Sequence, residues 1–302
     1  TADILLKEPD SYKETLRQYL AQGLSYPVAR KMAFQDYTKN PDLCNILDTP
    51  NNILGIEYLK ALRHINSSIK PFTLSRKGAG YHAEQLHETF SSASAIRASL
   101  LQADVQHNSW KSEGSLKQMP PAAAQIMRNN YNRKTPVYSN DFSLLLKAKL
   151  LTETCDSLIE YADISEALAR RIINQRNQFV NWDAFCELLK TKDMTYSRIS
   201  RALMHILLNI RTEDMTAYQA EQNCCYARVL GFRKEQTEIL KLFKQNSSVP
   251  VITKLGQIDS LSNAGQKMSD TDCYASNLYE SVVTDKFQTP IIEEQSKSLV
   301  VY

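Results

Sequence analysis

The six cysteines, Cys44, Cys155, Cys186, Cys224, Cys225 and Cys273, include no Cys-x-x-Cys pair and no Cys/His ligand spacing, which argues against a zinc site. The adjacent pair Cys224-Cys225 is awkward for a disulfide framework and fits a reducing compartment. No leader-like charged and apolar segment opens the sequence, and no apolar run is long and uncharged enough to cross a bilayer. Internal repeats and low-complexity stretches are also missing. Charge of one sign is not in large excess, since 36 Lys+Arg stand against 33 Asp+Glu. Any nucleic-acid surface must therefore be a local patch. These absences lead to the expectation of a soluble, cytoplasmic protein with no membrane segment, no resident metal and no evident protein partner. Its 302 residues are enough for two domains with cores of their own.

Special residue types cluster between Pro50 and Arg97. Asn51 or Asn52 is read as an Asx-type cap opening a helix whose apolar face is Ile53, Ile56, Leu59 and Leu62. Ile69 to Leu74, IKPFTL, reads as a short strand, with Pro71 arguing for an edge or an irregular entry. The turn Arg76-Lys77-Gly78-Ala79-Gly80 follows. Ser91, Ser92 and Ser94 then precede a helical run from Ala95 to Leu101, with Arg97 one turn in. Serine hydroxyls and free amides at a helix start suit an anion, and an arginine there adds a forked charge, so a phosphate chain is the natural guest. The same residues also fit a plain serine cap beside a solvated arginine. Arg76, at a strand end before a glycine turn, faces the crevice where open α/β sheets bind ligands, or is simply a surface charge. His82 in GAGYH reads as a turn histidine bonded to backbone.

The flanking segments are mostly helical. Thr1 to Ile46 places Tyr12, Leu16, Tyr19 and Leu20 at helical spacing, and Val28, Met32 and Phe34 in a second short helix. Gln102 to Arg133 carries Gly114 and Pro120-Pro121, which predicts a loop and then a short helix. A domain boundary is expected near Tyr138. Beyond it, Asp141 is expected to cap FSLLLKAKLLTET. Ile164, Leu168 and Ile172 share one helical face, with Arg170, Arg171 and Arg176 turned outward. Ile199, Leu203, Ile206, Leu207 and Ile210 form the buried stripe of another helix. Arg198, Arg201 and His205 line a different face, with Lys190 and Lys192 just upstream; such a face can track phosphates or be merely solvated. From Tyr226 the pattern predicts a helix interrupted at Gly231, then a strand in VPVITKL. A helix from Asp270 to Val283 follows, burying Tyr274, Leu278, Tyr279 and Val282, and Ile291 to Tyr302 reads as a terminal strand or frayed end.

The run SSASAIR resembles the ISSTxIR signature of the nucleotidylyltransferase superfamily, in which a Ser/Thr and an Arg at a helix start hold ATP phosphates. With PNNILGIEYLKAL and RKGAGYH in this order, the chain resembles the bacterial tRNA(Met) cytidine acetate ligases. The likeness continues through YSNDFSLLL, ISEALARRI, TYSRISRALMHILLN and YARVLGFR. It implies an α/β fold, a partial Rossmann-like nucleotidyltransferase domain over 1–137, followed by a mainly α-helical tRNA-binding domain over 138–302. It also implies an ATP-dependent acetate ligase that forms acetyl-adenylate and then acetylates N4 of the wobble cytidine of elongator tRNA(Met). Asn51 matches the asparagine of the family's PNxILG motif and Arg76 the arginine before GAGYH. With Ser94 and Arg97 they are the expected ATP-binding residues, Mg²⁺ neutralising the triphosphate. Clustering and resemblance together make Arg170, Arg171, Arg198 and Arg201 the expected tRNA contacts. Catalysis would be electrostatic, with no covalent nucleophile.

Family members begin with a first strand and an HxGH-type motif. No H-x-G-H occurs here, so the N-terminal part of the catalytic domain is expected to lie outside this chain. Two other readings are another adenylyltransferase, against which the large helical part argues, and a non-catalytic RNA-binding module.

Overall fold

Residues 1–75, 91–105 and 113–302 are described by a computed structural model, the side chains of 103–105 and 113 excepted. Arg76, His82 and the glycine turn lie outside the described residues. The chain forms two compact units, Thr1–Lys77 and Gly78–Tyr302. The boundary expected near Tyr138 falls inside the second.

The first unit is helical as expected: α1 (Ala2–Lys7), α2 (Asp10–Ala21), α3 (Tyr26–Thr38), α4 (Pro41–Asn45) and α5 (Pro50–His64). Proline opens three of these helices, where its missing N–H costs nothing. The Asn40 side chain caps α4, accepting from the amides of Asp42 and Leu43 at 3.0 and 3.3 Å. Leu5, Tyr12, Phe34, Cys44, Leu47 and Ile56 make the core.

Three expectations change here. The N-cap of α5 is Thr49, so Asn51 and Asn52 lie exposed within its first turn and cap nothing. The face of α3 that packs on α2 is Ala29, Ala33 and Phe34, while Val28 and Met32 stay 47% and 37% exposed. The small Ala29 and Ala33 are fully covered, and the larger Val28 and Met32 fall to the side of that face. IKPFTL forms no ladder, and Phe72 and Leu74 remain about nine-tenths exposed, at 90% and 89%. A strand needs a partner, none meets it among the described residues, and Pro71 removes a donor.

The second unit begins with α6 (Ala93–Val105), α7 (Glu113–Leu116) and α8 (Pro121–Asn130). Its core is a helical cluster: α9 (Ser143–Leu151), α10 (Cys155–Leu158), α11 (Glu166–Gln175), α12 (Trp182–Leu189) and α13 (Tyr196–Leu208). Leu146, Leu158, Leu168, Ile172, Trp182, Phe185, Ile199, Leu203 and Ile206 are buried together. Four successive helix starts are closed by side-chain oxygens: Thr154 takes the amide of Ser157, Ser165 that of Leu168, Asn181 that of Ala184 and Thr195 that of Arg198. Asp141 does not cap α9 itself. It accepts from the Tyr138 amide at 2.7 Å in the 3₁₀ turn Ser139–Phe142, and it pairs with Lys286 at 3.1 Å.

After α14 (Thr212–Ala220), the expected helix from Tyr226 is instead β1 (Ala227–Arg228) and β2 (Gly231–Phe232), before α15 (Thr237–Asn246). β1 pairs in parallel with β3 (Val251–Ile252), and β2 in parallel with β4 (Val300–Val301). Gly231 is no helix break; a Cβ there would lie 2.9 Å from the Val300 carbonyl oxygen, so only glycine admits the terminal strand. The strands expected in VPVITKL and at the terminus do form, each two residues long. Helix α16 (Asn263–Phe287) is longer than the spacing predicts. It buries Gly265, Ser269, Cys273, Val282 and Val283 and leaves Tyr274 and Tyr279 46% and 41% exposed. The small residues recur at intervals of four and face the segment around β1: Gly265 lies against the Cys225 carbonyl, Ser269 beside Tyr226 and Cys273 near Arg228, and the bulky tyrosines are left at the margin.

Glu153, 8% exposed, anchors the junction after α9. It accepts from Ser157 Oγ at 2.5 Å and Tyr161 Oη at 2.8 Å, with Lys149 Nζ at 3.3 Å. Burial pushes its carboxyl up, but these donors together outweigh burial and hold it below the usual range. The stability it supplies is thus present above the ordinary carboxylate value and lost as pH falls through the depressed one. Glu153→Gln should lower the urea unfolding midpoint at pH 7, and the deficit should be smaller at about pH 3, below the ordinary glutamate value. An equal deficit at both pH values would assign the loss to shape and not to charge.

Candidate functional site

Helix α6 has two unlike faces. Ser92, 2% exposed, is its cap: Oγ accepts from the Ala95 amide at 3.0 Å and the carbonyl from the Ile96 amide at 3.1 Å. Ala95 and Leu100 are buried, and Ser99 is tied to the buried Ser115 by a 2.6 Å hydroxyl contact. That fixes the inner face. Ser94 and Arg97, three residues apart and so on one side of the helix, are both exposed. No acidic residue occupies the first turn. An exposed hydroxyl, first-turn amides of Ala93 and Ser94 without an intrahelical partner, and a guanidinium one turn on are the donor set a phosphate chain takes. Asn51 is exposed in the first turn of α5, in the first unit.

The expected basic face splits in two. Arg198 and Arg201 are exposed on successive turns of α13. Arg201 donates from Nε to Asp163 Oδ2 at 2.6 Å, and His205 Nδ1 lies 3.0 Å from the Ala162 carbonyl oxygen. The hydrogen bond from Arg201 is the main reason the Asp163 carboxyl is held below its usual range. Arg170 is exposed and pairs with Glu166 one turn before it. Arg171 and Arg176 are not turned outward as expected. Arg171 donates to the carbonyls of Leu188 and Lys190 at 3.0 and 3.4 Å, and Arg176 to those of Leu150 and Glu153, both at 3.1 Å. Both close helix C-termini, whose last carbonyls lack partners. Asp163 escaped the sequence reading. Nothing in ADIS distinguishes it from an ordinary residue before a helix, and only the fold brings it to Arg201.

A family model described as HIGH Nucleotidyl Transferase matches residues 1–295, which sets the class of the protein. Among curated proteins, the tRNA(Met) cytidine acetate ligase of Alkaliphilus metalliredigens is 34% identical over 293 residues, covering 93% of this chain and 68% of that protein. The ligase of Thermoanaerobacter sp. is 37% identical over 280 residues, covering 92% and 66%. The crystal structure of Thermotoga maritima TmcAL without ligand matches with a TM-score of 0.85 at 25% identity, over 99% of this chain and 72% of that one. The same protein bound with alpha-thio ATP matches at 0.82 with the same coverage. The chain belongs to the tRNA(Met) cytidine acetate ligase family, and it spans about two thirds of the length of these curated relatives. The match bears out the expected α/β nucleotidyltransferase-type fold with its helical part. Among the described residues no helix is long and apolar enough to cross a membrane.

The two serines separate by role. Ser92→Ala should cost about 1 kcal/mol in urea unfolding through loss of the cap, whereas Ser94→Ala should stay within about 0.5 kcal/mol of the parent. The reverse order would move the cap to Ser94.

Proposed function

We propose that this chain takes part in ATP-dependent activation of acetate and its transfer to N4 of the wobble cytidine of elongator tRNA(Met). Acetate carboxylate attacks the α-phosphate of ATP and pyrophosphate leaves, giving acetyl-adenylate; the cytidine amine then attacks the acyl carbon and AMP leaves. The observation that supports this reading is the outward face of α6, where Ser94 and Arg97 stand clear of the cap, in a family with a solved member bound with alpha-thio ATP. Arg97 and the first-turn amides would carry the growing charge on the phosphates, electrostatic work that needs no covalent nucleophile. Asn51 and Arg76 are proposed as further ATP contacts, and Mg²⁺ accompanying the triphosphate would neutralise part of its charge.

The division of labour is proposed as 1–137 for the nucleotide and 138–302 for tRNA. Arg198 and Arg201 would meet the RNA backbone from α13, joined by Arg170 on α11. Arg171 is proposed to act indirectly, through the turn it holds by its bond to the Lys190 carbonyl. Phosphate contacts of this kind give affinity that falls with salt, and an unstacked anticodon base supplies the specificity.

The test is pyrophosphate release from ATP and acetate, and AMP release on adding transcribed elongator tRNA(Met). Arg97→Ala should slow pyrophosphate release about a hundredfold, with the urea midpoint unchanged. Release at the parental rate would remove α6 from the nucleotide site. Binding of tRNA without any acetate-dependent release, by this chain joined to an HxGH-bearing first strand, would favour the RNA-binding module instead.

A further inference from the structure

An acid on a face read as RNA-binding calls for a reason. Asp163 lies beside Arg201, and simple electrostatics counts it against the site, since a carboxylate about 6 Å from a phosphate in water weakens binding about threefold.

The geometry around Asp163 gives it another role. Its backbone has φ 65, the left-handed region that Asp tolerates better than most residues but that still costs free energy. The turn is held in that shape from several sides. The Ala162 amide donates to the Ile210 carbonyl at 3.1 Å, the Thr212 amide to that of Glu160 at 2.9 Å, and His205 Nδ1 meets the Ala162 carbonyl at 3.0 Å. Tyr161, two residues before it, is only 1% exposed. The carboxylate is therefore mounted on a fixed support.

It grips Arg201 in a particular way. Oδ2 takes Nε at 2.6 Å, and among the described residues the two Nη groups have no partner, on a side chain 59% exposed. A carboxylate usually engages an arginine through two nitrogens at once. Here one nitrogen is used and the outer fork is left over. An arginine free in solvent loses rotamer freedom when it meets a phosphate, and that loss is worth about three- to tenfold in affinity. A grip at Nε removes most of it beforehand. Arg198, exposed one turn earlier, adds a second cation on the same side.

We propose that Asp163 is a positioning residue for RNA, holding Arg201 by Nε so that its two Nη groups form a preset fork for one backbone phosphate. The proposal rests on the reading of α13 as a tRNA-facing helix.

The experiment measures binding of transcribed elongator tRNA(Met) to the full chain across a salt series. Asp163→Ala should weaken binding about three- to tenfold although it removes a negative charge. Asp163→Asn keeps an acceptor for Nε and tolerates the left-handed backbone, and should bind at least as well as the parent. Asp163→Gly relieves the backbone without restoring the acceptor, and should bind like the alanine variant even if that one folds poorly. Arg201→Ala should lower the salt slope by about 1, and in its background Asp163→Ala should have no further effect. Tighter binding by Asp163→Ala would overturn the proposal in favour of plain repulsion. A loss that persists in the Arg201→Ala background, or that asparagine fails to rescue, would overturn it in favour of a purely structural role. Unchanged affinity and slope in Arg201→Ala would instead remove the RNA reading of α13, and the proposal with it.

Discussion

Every helix start leaves backbone amides that its own ladder cannot satisfy, and the way this chain deals with them organises much of its second unit. Thr154, Ser165, Asn181 and Thr195 each fold a side-chain oxygen back onto such an amide, which lets four short helices begin against one another around Trp182 and Leu203. Ser92 does the same for α6. With the cap supplied by Ser92, the next serine along is released from structural duty. That separation turns an ordinary helix start into one with a spare hydroxyl and a spare guanidinium facing outward.

The arginines follow a parallel logic at the other helix ends. Arg171 and Arg176 spend their donors on carbonyls at the ends of α12 and α9, where the ladder runs out of amides. Arg198 and Arg201 have no such duty and remain exposed on α13. All four carry the same charge, and they differ only in whether a helix terminus lies within reach. A count of basic residues therefore overstates the surface available to a polyanion, in keeping with the near balance of charge along the chain. The ion pair between Arg201 and Asp163 is exposed and on its own contributes little to stability. Its interest lies in which nitrogen it uses.

The residue patterns carried a good deal of this. Helical spacing located α5, α11 and α13; the expected positions Leu168, Ile172, Ile199, Leu203, Ile206 and Leu207 are buried, while of the α5 face only Ile56 is. Motif order carried the family. Two kinds of reading went astray. Aromatic residues were expected inside α16, and the molecule buries Gly265, Ser269 and Cys273 there instead, since the segment from Cys225 to Arg228 runs against that face and leaves room only for small side chains. The segment after Tyr226 read as two short helices; the second forms as α15, but pairing with Val251 and Val300 makes the first part strand.

What the amino-acid order determined by itself was local and periodic: where most helices run, the buried stripes of α11 and α13, and which motifs announce a phosphate-binding class. Tertiary structure decided which like residues do unlike work. Ser92 caps while Ser94 stays outward, Arg171 closes a helix while Arg198 remains exposed, and Asp163 meets an arginine 38 positions away. Periodicity constrains neighbours within a few residues, and contacts between distant segments arise only when separate helices pack.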